Sequence, residues 1–333
     1  MTARPRTVQV GVIGAGIMGA DHARTLARWV WGAEVTAIAD VDLNRAEAVA
    51  ADVGARASND ALAVIGSPDV DAVLIASHDS VHAEQVVAAA RAGKAVLCEK
   101  PLAPTLAEGR QVLRDIGATG EALLSLGFMR RFDPGYVQLR QAIDDGSIGA
   151  PVLVHNVSRG VSSAPNATSE FSITGSAIHE CDVVPWLLRS PVVEVSWIAP
   201  RRSSQANEGL QDPQLIHLRT ADGVLSTVET FLNARYGYVV RCEVVGENGT
   251  ISLTEPARVV VEGELKRSTG YAADWRPRFA DAYRLELQAW IDSVLAGAPT
   301  PLATGRDGVA ASAVAEAVIA SMHDGGRITK VEQ

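Results

Sequence analysis

An apolar run, Val8–Ile13, ends in Gly14-Ala15-Gly16-Ile17-Met18-Gly19 and passes directly into an Ala-rich stretch expected to be helical over 17–30. No other feature constrains the chain as tightly. In a strand that ends in G-x-G-x-x-G and opens a helix, each glycine has its own task. Gly14 makes the tight turn, Gly16 lets a pyrophosphate approach the backbone, and Gly19 lets helix and strand pack closely. The helix start adds unpaired N–H groups and partial positive charge, which suit phosphate. Ile17 and Met18 lie in the same turn and join the candidate phosphate-binding residues.

The strand–helix alternation continues through the first third. Strands are expected at Val35–Ala39, Asp71–Ala76, Ala95–Cys98 and Ala122–Gly127, with helices at about 43–52, 60–65, 80–92 and 105–116 between them. Wholly apolar strands separated by helices imply a parallel sheet covered on both faces, doubly wound through right-handed crossovers. Past Phe128 the pattern changes. Strand-like runs at Pro151–Asn156, Val192–Ala199, Leu215–Thr220, Val224–Leu232, Val239–Gly246, Gly249–Leu253 and Ala257–Glu262 are punctuated by turns such as Ala221-Asp222-Gly223 and Glu247-Asn248-Gly249. Helices are expected at 136–145, 279–296 and 307–323. The fold class is therefore α/β: a Rossmann doubly wound parallel sheet, then a C-terminal α/β domain with a large, mostly antiparallel open sheet. The 333 residues accommodate two domains at ~150 each. They are placed at 1–127 and 128–333, and the helix over 307–323 is a candidate for packing back on the first.

Charge narrows the partners. Asp and Glu number 39 against 30 Lys and Arg, a net charge of −9, and no basic run occurs. Such a chain is a poor ligand for a nucleic-acid backbone. It can still hold one dinucleotide, because that binding is local to a glycine turn and a helix end. No apolar stretch reaches the ~20 residues of a membrane span. Met1–Thr7 has two arginines but no apolar signal segment. Cys98, Cys181 and Cys242 lie far apart with no C-x-x-C spacing, so a reducing cytoplasm is expected and no metal site.

Two further positions carry chemistry. Asp40 ends the second strand about 20 residues after Gly19, where an acid accepts hydrogen bonds from ribose hydroxyls and repels a 2′-phosphate. No Arg follows at positions 41 or 42, so NAD is expected over NADP. Glu99-Lys100-Pro101 follows a buried strand at its carboxyl end, where ligands bind in such sheets. An ammonium there can donate to a substrate hydroxyl and bias it towards losing its proton.

The segments GVIGAGIMG, AIADVD, HAEQVVAAARAGKAVLCEKPLA, GFMRRFDPGY and GSAIHECDVVPWLL together resemble the glucose–fructose oxidoreductase/inositol dehydrogenase/MocA family. Within it the chain is most similar to the inositol (cyclitol) 2-dehydrogenase type, a likeness supported by Arg235–Tyr238 and Asp274–Tyr283. The resemblance implies NAD-dependent oxidation of a ring secondary alcohol of a polyol, sugar or glycoside. It implies Lys100 as the catalytic lysine and His179, in His-x-x-Asp with Asp182, as the acid/base. It implies substrate contacts from Arg130, Asp182, Ser176, Tyr236 and Tyr238, with Gly160 and Gly175 lining the same site. Ser77, His82, Glu99 and Lys100 join the glycine turn and Asp40 as cofactor contacts. A homodimer or homotetramer through the C-terminal sheet is implied too. Imidazole suits the proton role because it titrates near neutral pH.

Two positions depart from the family pattern. Inositol dehydrogenases usually carry an aspartate four residues before the histidine, one helical turn earlier; here that residue is Gly175. An asparagine usual after Arg159 is Gly160. The expectation is a pocket widened for a bulkier glycoside or aminocyclitol conjugate, covered by a loop over 160–172. Asp182 or Glu180 as a replacement carboxylate and impaired catalysis are the competing explanations. The rival functions are a ketone reductase on an aminocyclitol-type intermediate and a non-catalytic NAD-binding protein.

Overall fold

The computed structural model describes residues 7–254 and 259–332. Two compact units organise them: residues up to Phe132 with Asp281–Val309, and Asp133–Ala280 with Ala310 onward.

The first unit opens with β1 (Val8–Ile13), α1 (Ile17–Trp29), β2 (Ala33–Ala39), α2 (Leu43–Val53), β3 (Arg56–Ser58), α3 (Ala61–Gly66) and β4 (Ala72–Ile75). After a 3-10 turn at Asp79–Val81 follow α4 (His82–Arg91), β5 (Ala95–Glu99), α5 (Leu106–Glu121) and β6 (Leu124–Gly127). The strands lie in the order β3-β2-β1-β4-β5-β6, all parallel. The order reverses between β1 and β4, so the crevice beyond their carboxyl ends is the place where this architecture takes ligands. Local chemistry fixes the helix ends. Asp42 caps α2 and Gly54 closes it at φ 76°, while Thr105 and Glu108 form a capping box on α5. The spacing predicts that α5 ends at 116; it runs on to Glu121 but leaves helical geometry at Gly117. Val10, Val12, Ile38, Leu74 and Leu97 pack against Ala23 and Leu26 of α1. Leu287, Trp290 and Ile291 of the later helix 280–296 join the same core.

The second unit continues with α6 (Pro134–Asp144), β7 (Pro151–Arg159), α7 (Ser169–Phe171), a π-helical stretch at Ser172–Ala177, α8 (Ile178–Leu188), β8 (Val192–Ile198), β9 (Gln214–Thr220), β10 (Leu225–Phe231), β11 (Val239–Gly246) and β12 (Thr250–Ser252). The exposed hairpin β13 (Val261–Gly263) and β14 (Lys266–Ser268) and the short α9 (Trp275–Arg278) follow. The strand expected at Ala257–Glu262 lies partly outside the described residues. The chain closes with α10 (Ala280–Ala296), β15 (Ala303–Thr304), α11 (Gly305–His323) and β16 (Thr329–Lys330). β15 adds to β6 antiparallel in the first sheet.

The second sheet runs β12-β11-β7-β10-β9-β8-β16, antiparallel except for β7 with β10. Strand alternation gives it two unlike faces. Val154, Asn156, Ser158, Ser226, Val228 and Thr230 are buried. Asn156 Nδ2 donates to Ser226 Oγ at 2.9 Å, and the Ser172 and Thr230 hydroxyls lie 3.3 Å apart, so buried donors on that face find partners within the core. On the other face Leu153, Val157, Leu225, Thr227, Glu229 and Phe231 stay half-exposed.

Candidate active site

The glycine turn has the geometry its spacing demands. Gly14 sits at φ +94°, and a Cβ there would lie 2.5 Å from the Ala76 carbonyl oxygen. A Cβ on Gly19 would lie 1.8 Å from the Gly14 oxygen, so only glycine lets α1 lie this close to β1. A Cβ on Gly16 would meet nothing within 4 Å. That open space, at the start of a helix whose cap makes no side-chain hydrogen bond, fits a pyrophosphate. Ile17 is exposed beside it, and Met18 is partly exposed.

Asp40 ends β2 next to this turn. Its Oδ2 accepts the Ala15 N–H at 2.7 Å and its Oδ1 the Asp42 N–H at 2.9 Å. Arg45 Nη1 stands 3.6 Å from Oδ2, a neighbouring cation that inspection of positions 41 and 42 misses.

At the carboxyl end of β5 the structure gathers Glu99, Lys100 and two histidines. His22 Nε2 lies 2.7 Å from Glu99 Oε1, and the His22 ring meets Tyr283 edge-on with centroids 5.4 Å apart. Burial pushes the Glu99 carboxyl up, but the hydrogen bond and charge of His22, with Lys100 and His82, outweigh it and hold the carboxyl below its usual range. Lys100 is held below the usual ammonium range. Burial is the main cause and the Arg130 guanidinium a lesser one, both opposed by the Glu99 charge. Arg130 is buried on the 3-10 turn Met129–Phe132 that follows β6. The Lys100–Pro101 peptide is cis.

His82 Nδ1 lies 2.8 Å from the Pro101 carbonyl oxygen and Nε2 3.2 Å from the Ser77 carbonyl oxygen, and the Ser77 hydroxyl donates to Gln85. The His82 ring thus stands between the Ser77 and Pro101 carbonyls, which makes it a brace for the turn that follows Lys100. On the sequence alone His22 has no assigned role. Its signal was a polar side chain on the buried stripe Gly19, Ala20, Ala23 and Leu26, which demands a partner.

In the second unit, Thr168 caps the short α7 through the Phe171 N–H, and the chain then widens into the π-helix before His179. Ile178 N donates to Ile173 O, an i→i+5 bond. The expectation that position 175 stands one ordinary helical turn from His179 is corrected by this widening, which alters the phase between them. His179 and Ser176 are partly exposed; Asp182 and Glu180 are buried, at 2% and 0% exposure.

The widened pocket is not what the glycines make. A Cβ at Gly175 would lie 3.1 to 3.4 Å from the outer carbons of the Phe171 ring, so that ring already occupies the space. A Cβ at Gly160 would lie 3.0 Å from the Leu232 carbonyl oxygen, and Gly160 N donates to Phe231 O at 2.9 Å. Close backbone approach, not ligand volume, therefore accounts for Gly160. The stretch after it is pinned too, with Ser163 N donating to Asn233 Oδ1 at 3.0 Å and Asp212 holding the Leu232 and Asn233 N–H groups.

The two tyrosines part company. Tyr236 OH accepts from Arg159 Nη1 at 2.7 Å, and Arg159 forks onto Glu229 at 2.6 and 2.8 Å, which ties Tyr236 to the residues of the sheet's open face. Tyr238 packs edge-on against buried Phe279. Cys98 and Cys181 are buried thiols pushed well above their usual range by burial. Among the described residues no cluster of His, Cys, Asp and Glu could hold a metal, and no helix is long and apolar enough to cross a membrane.

Known proteins match the chain along almost its whole length. The family model "Oxidoreductase family, NAD-binding Rossmann fold" matches residues 8–128, and "Oxidoreductase family, C-terminal alpha/beta domain" matches 140–331. The chain is 55% identical to inositol 2-dehydrogenase 2 of Paenarthrobacter aurescens over 97% of this chain and 98% of that one. It is 49% identical to inositol 2-dehydrogenase 1 of Saccharopolyspora erythraea over 96% and 95%. Among solved structures it is similar to myo-inositol dehydrogenase from Lactobacillus casei in complex with NAD(H) and myo-inositol. There the TM-score is 0.93 and the identity 34%, covering 98% of this chain and 97% of that one. With both of its parts matched in order, the chain belongs to the Gfo/Idh/MocA family of NAD-binding oxidoreductases that act on CH–OH groups.

Proposed function

We propose that the protein oxidises a ring secondary alcohol of a free cyclitol of the inositol type to the ketone, with NAD as acceptor. The observation that carries this reading is the lysine at the carboxyl end of β5, backed by Glu99 and flanked by Arg130 on the sheet that bears the glycine turn. The names of the relatives supply the substrate class.

When bound, the dinucleotide supplies a hydride acceptor. Gly14, Gly16, Ile17, Met18 and Gly19 hold its pyrophosphate, and Asp40 its adenosine ribose. Lys100 donates to the reacting oxygen and stabilises the charge that develops as the C–H bond breaks. His179 takes the hydroxyl proton. Arg130, Ser176, Asp182 and Tyr238 bind or orient the remaining hydroxyls. Residues 1–127 are assigned to the cofactor, and the substrate mainly to the part of 128–333 outside the first unit.

NAD is preferred to NADP because Asp40 is fixed beside the turn by two backbone N–H groups, where a 2′-phosphate meets its charge. The rival reading of a non-catalytic binder rested on Gly175, and Phe171 accounts for that position without loss of the lysine or the histidine. The half-exposed face of the second sheet, with Leu153, Val157, Leu225 and Phe231, supports a homodimer or homotetramer. Light scattering on the eluting protein tests it, and a monomer at micromolar concentration removes it.

The test of the activity is NADH absorbance over a panel of cyclitols, aldoses and aminoglycoside-type glycosides. Growth with cyclitols supports the reading. A silent panel from protein that binds NAD tightly overturns it.

A further inference from the structure

We infer that Phe171 is a specificity-determining wall of the substrate site, taking a ring face whose axial groups are all hydrogen. The inference rests on the proposed cyclitol oxidation at His179. Phe171 is 54% exposed although it is a large aromatic in a capped turn. The outer edge of its ring lies over Gly175, 3.1 to 3.4 Å from where a Cβ would stand. Gly175 in turn lies four residues before His179 on the same helical run, which widens into a π-helix between Ser172 and Ala177. The outer edge of the ring is therefore directed at the open side of Gly175, and more than half the residue stays exposed. Position 175 has no side-chain donor or acceptor, and the group that covers it is aromatic.

Aromatic faces carry partial negative charge and favour C–H groups, while a hydroxyl set against such a wall loses a hydrogen bond to water and gains none. Cyclitol stereochemistry converts this into selectivity. In scyllo-inositol both faces of the chair carry only axial hydrogens, and in myo-inositol one face does. In chiro-inositol and neo-inositol each face carries an axial hydroxyl. The wall accepts the first pair and disfavours the second.

The experiment compares kcat and KM of the wild type, Phe171→Ala, Phe171→Leu and Gly175→Ala on these four cyclitols. NADH affinity and melting temperature serve as controls. Removing the ring raises KM for myo- and scyllo-inositol by roughly three- to tenfold, leaves kcat within about twofold, and narrows their advantage over chiro- and neo-inositol. Phe171→Leu keeps apolar bulk without the π face and falls between. Gly175→Ala displaces the ring without removing it and moves selectivity the same way. If the wild type turns over cyclitols and all three variants keep its KM and its selectivity, the wall is refuted while the cyclitol reading stands. If the wild type turns over none of them, the underlying reading fails first. Should Phe171→Ala not fold, Phe171→Leu and Gly175→Ala decide alone.

Discussion

His22 Nε2 and Glu99 Oε1 lie 2.7 Å apart, and Glu99 immediately precedes Lys100 in the chain. The lysine proposed to polarise the substrate oxygen therefore feels opposed charges, Glu99 favouring its ammonium form and Arg130 disfavouring it.

Glu99→Gln separates these influences. Burial lowers the Lys100 pKa and the Glu99 charge raises it. Without that charge the pKa falls further and the ammonium is lost at a lower pH. The alkaline limb of the kcat/KM profile should shift to lower pH, and an unmoved limb would show that Glu99 does not govern Lys100. Stability has its own sign. The Glu99 carboxyl is held below its usual range, so its contribution is present above the ordinary carboxylate pKa of ~4.3 and disappears as pH falls through the folded-state value. Melting temperatures of wild type and Glu99→Gln should therefore differ near neutral pH and converge in acid.

Asp40→Ala should act twice. The Ala15 N–H loses its acceptor, at a cost of about 1 kcal/mol to the turn. The NAD-over-NADP ratio of kcat/KM should shrink, because the repelling charge is gone and Arg45 remains. An unchanged ratio takes Asp40 out of cofactor choice.

Gly14→Ala should be among the most damaging single changes. It places a side chain at φ +94° and 2.5 Å from the Ala76 oxygen. Backbone strain alone costs about 1–3 kcal/mol. The melting temperature should drop by several degrees and NADH fluorescence titration should show weakened binding; a wild-type titration would contradict the assignment of the turn.

Lys100→Met and His179→Ala should each cut kcat by about two to four orders of magnitude, while His179→Ala still titrates NADH normally. Normal turnover in either variant removes that residue from the chemistry.

The first sheet and its glycine turn were legible in the sequence because apolar strands, helical spacing and glycine punctuation all point one way there. Val8–Ile13, Ile17–Trp29 and Val239–Gly246 stand where their patterns place them, within a residue. β3, β15 and β16, of two or three residues each, are too short to show alternation. The π-helix was hidden because Ser-Ile-Thr-Gly-Ser has no preference that separates an i→i+5 from an i→i+4 bond. Phe171 over Gly175, Tyr236 on Arg159 and His22 on Glu99 are side-chain pairings that depend on packing geometry. A glycine in the sequence shows that a side chain is missing, and only the fold shows what fills its place.

Oxidation of myo-inositol deuterated at the carbinol carbon that is oxidised tests the central claim most directly. Direct hydride transfer predicts that the deuterium appears at C4 of the reduced nicotinamide with a primary isotope effect on the chemical step, and that Lys100→Met loses this transfer. Unlabelled NADH, or no NADH from protein that binds NAD, would contradict it.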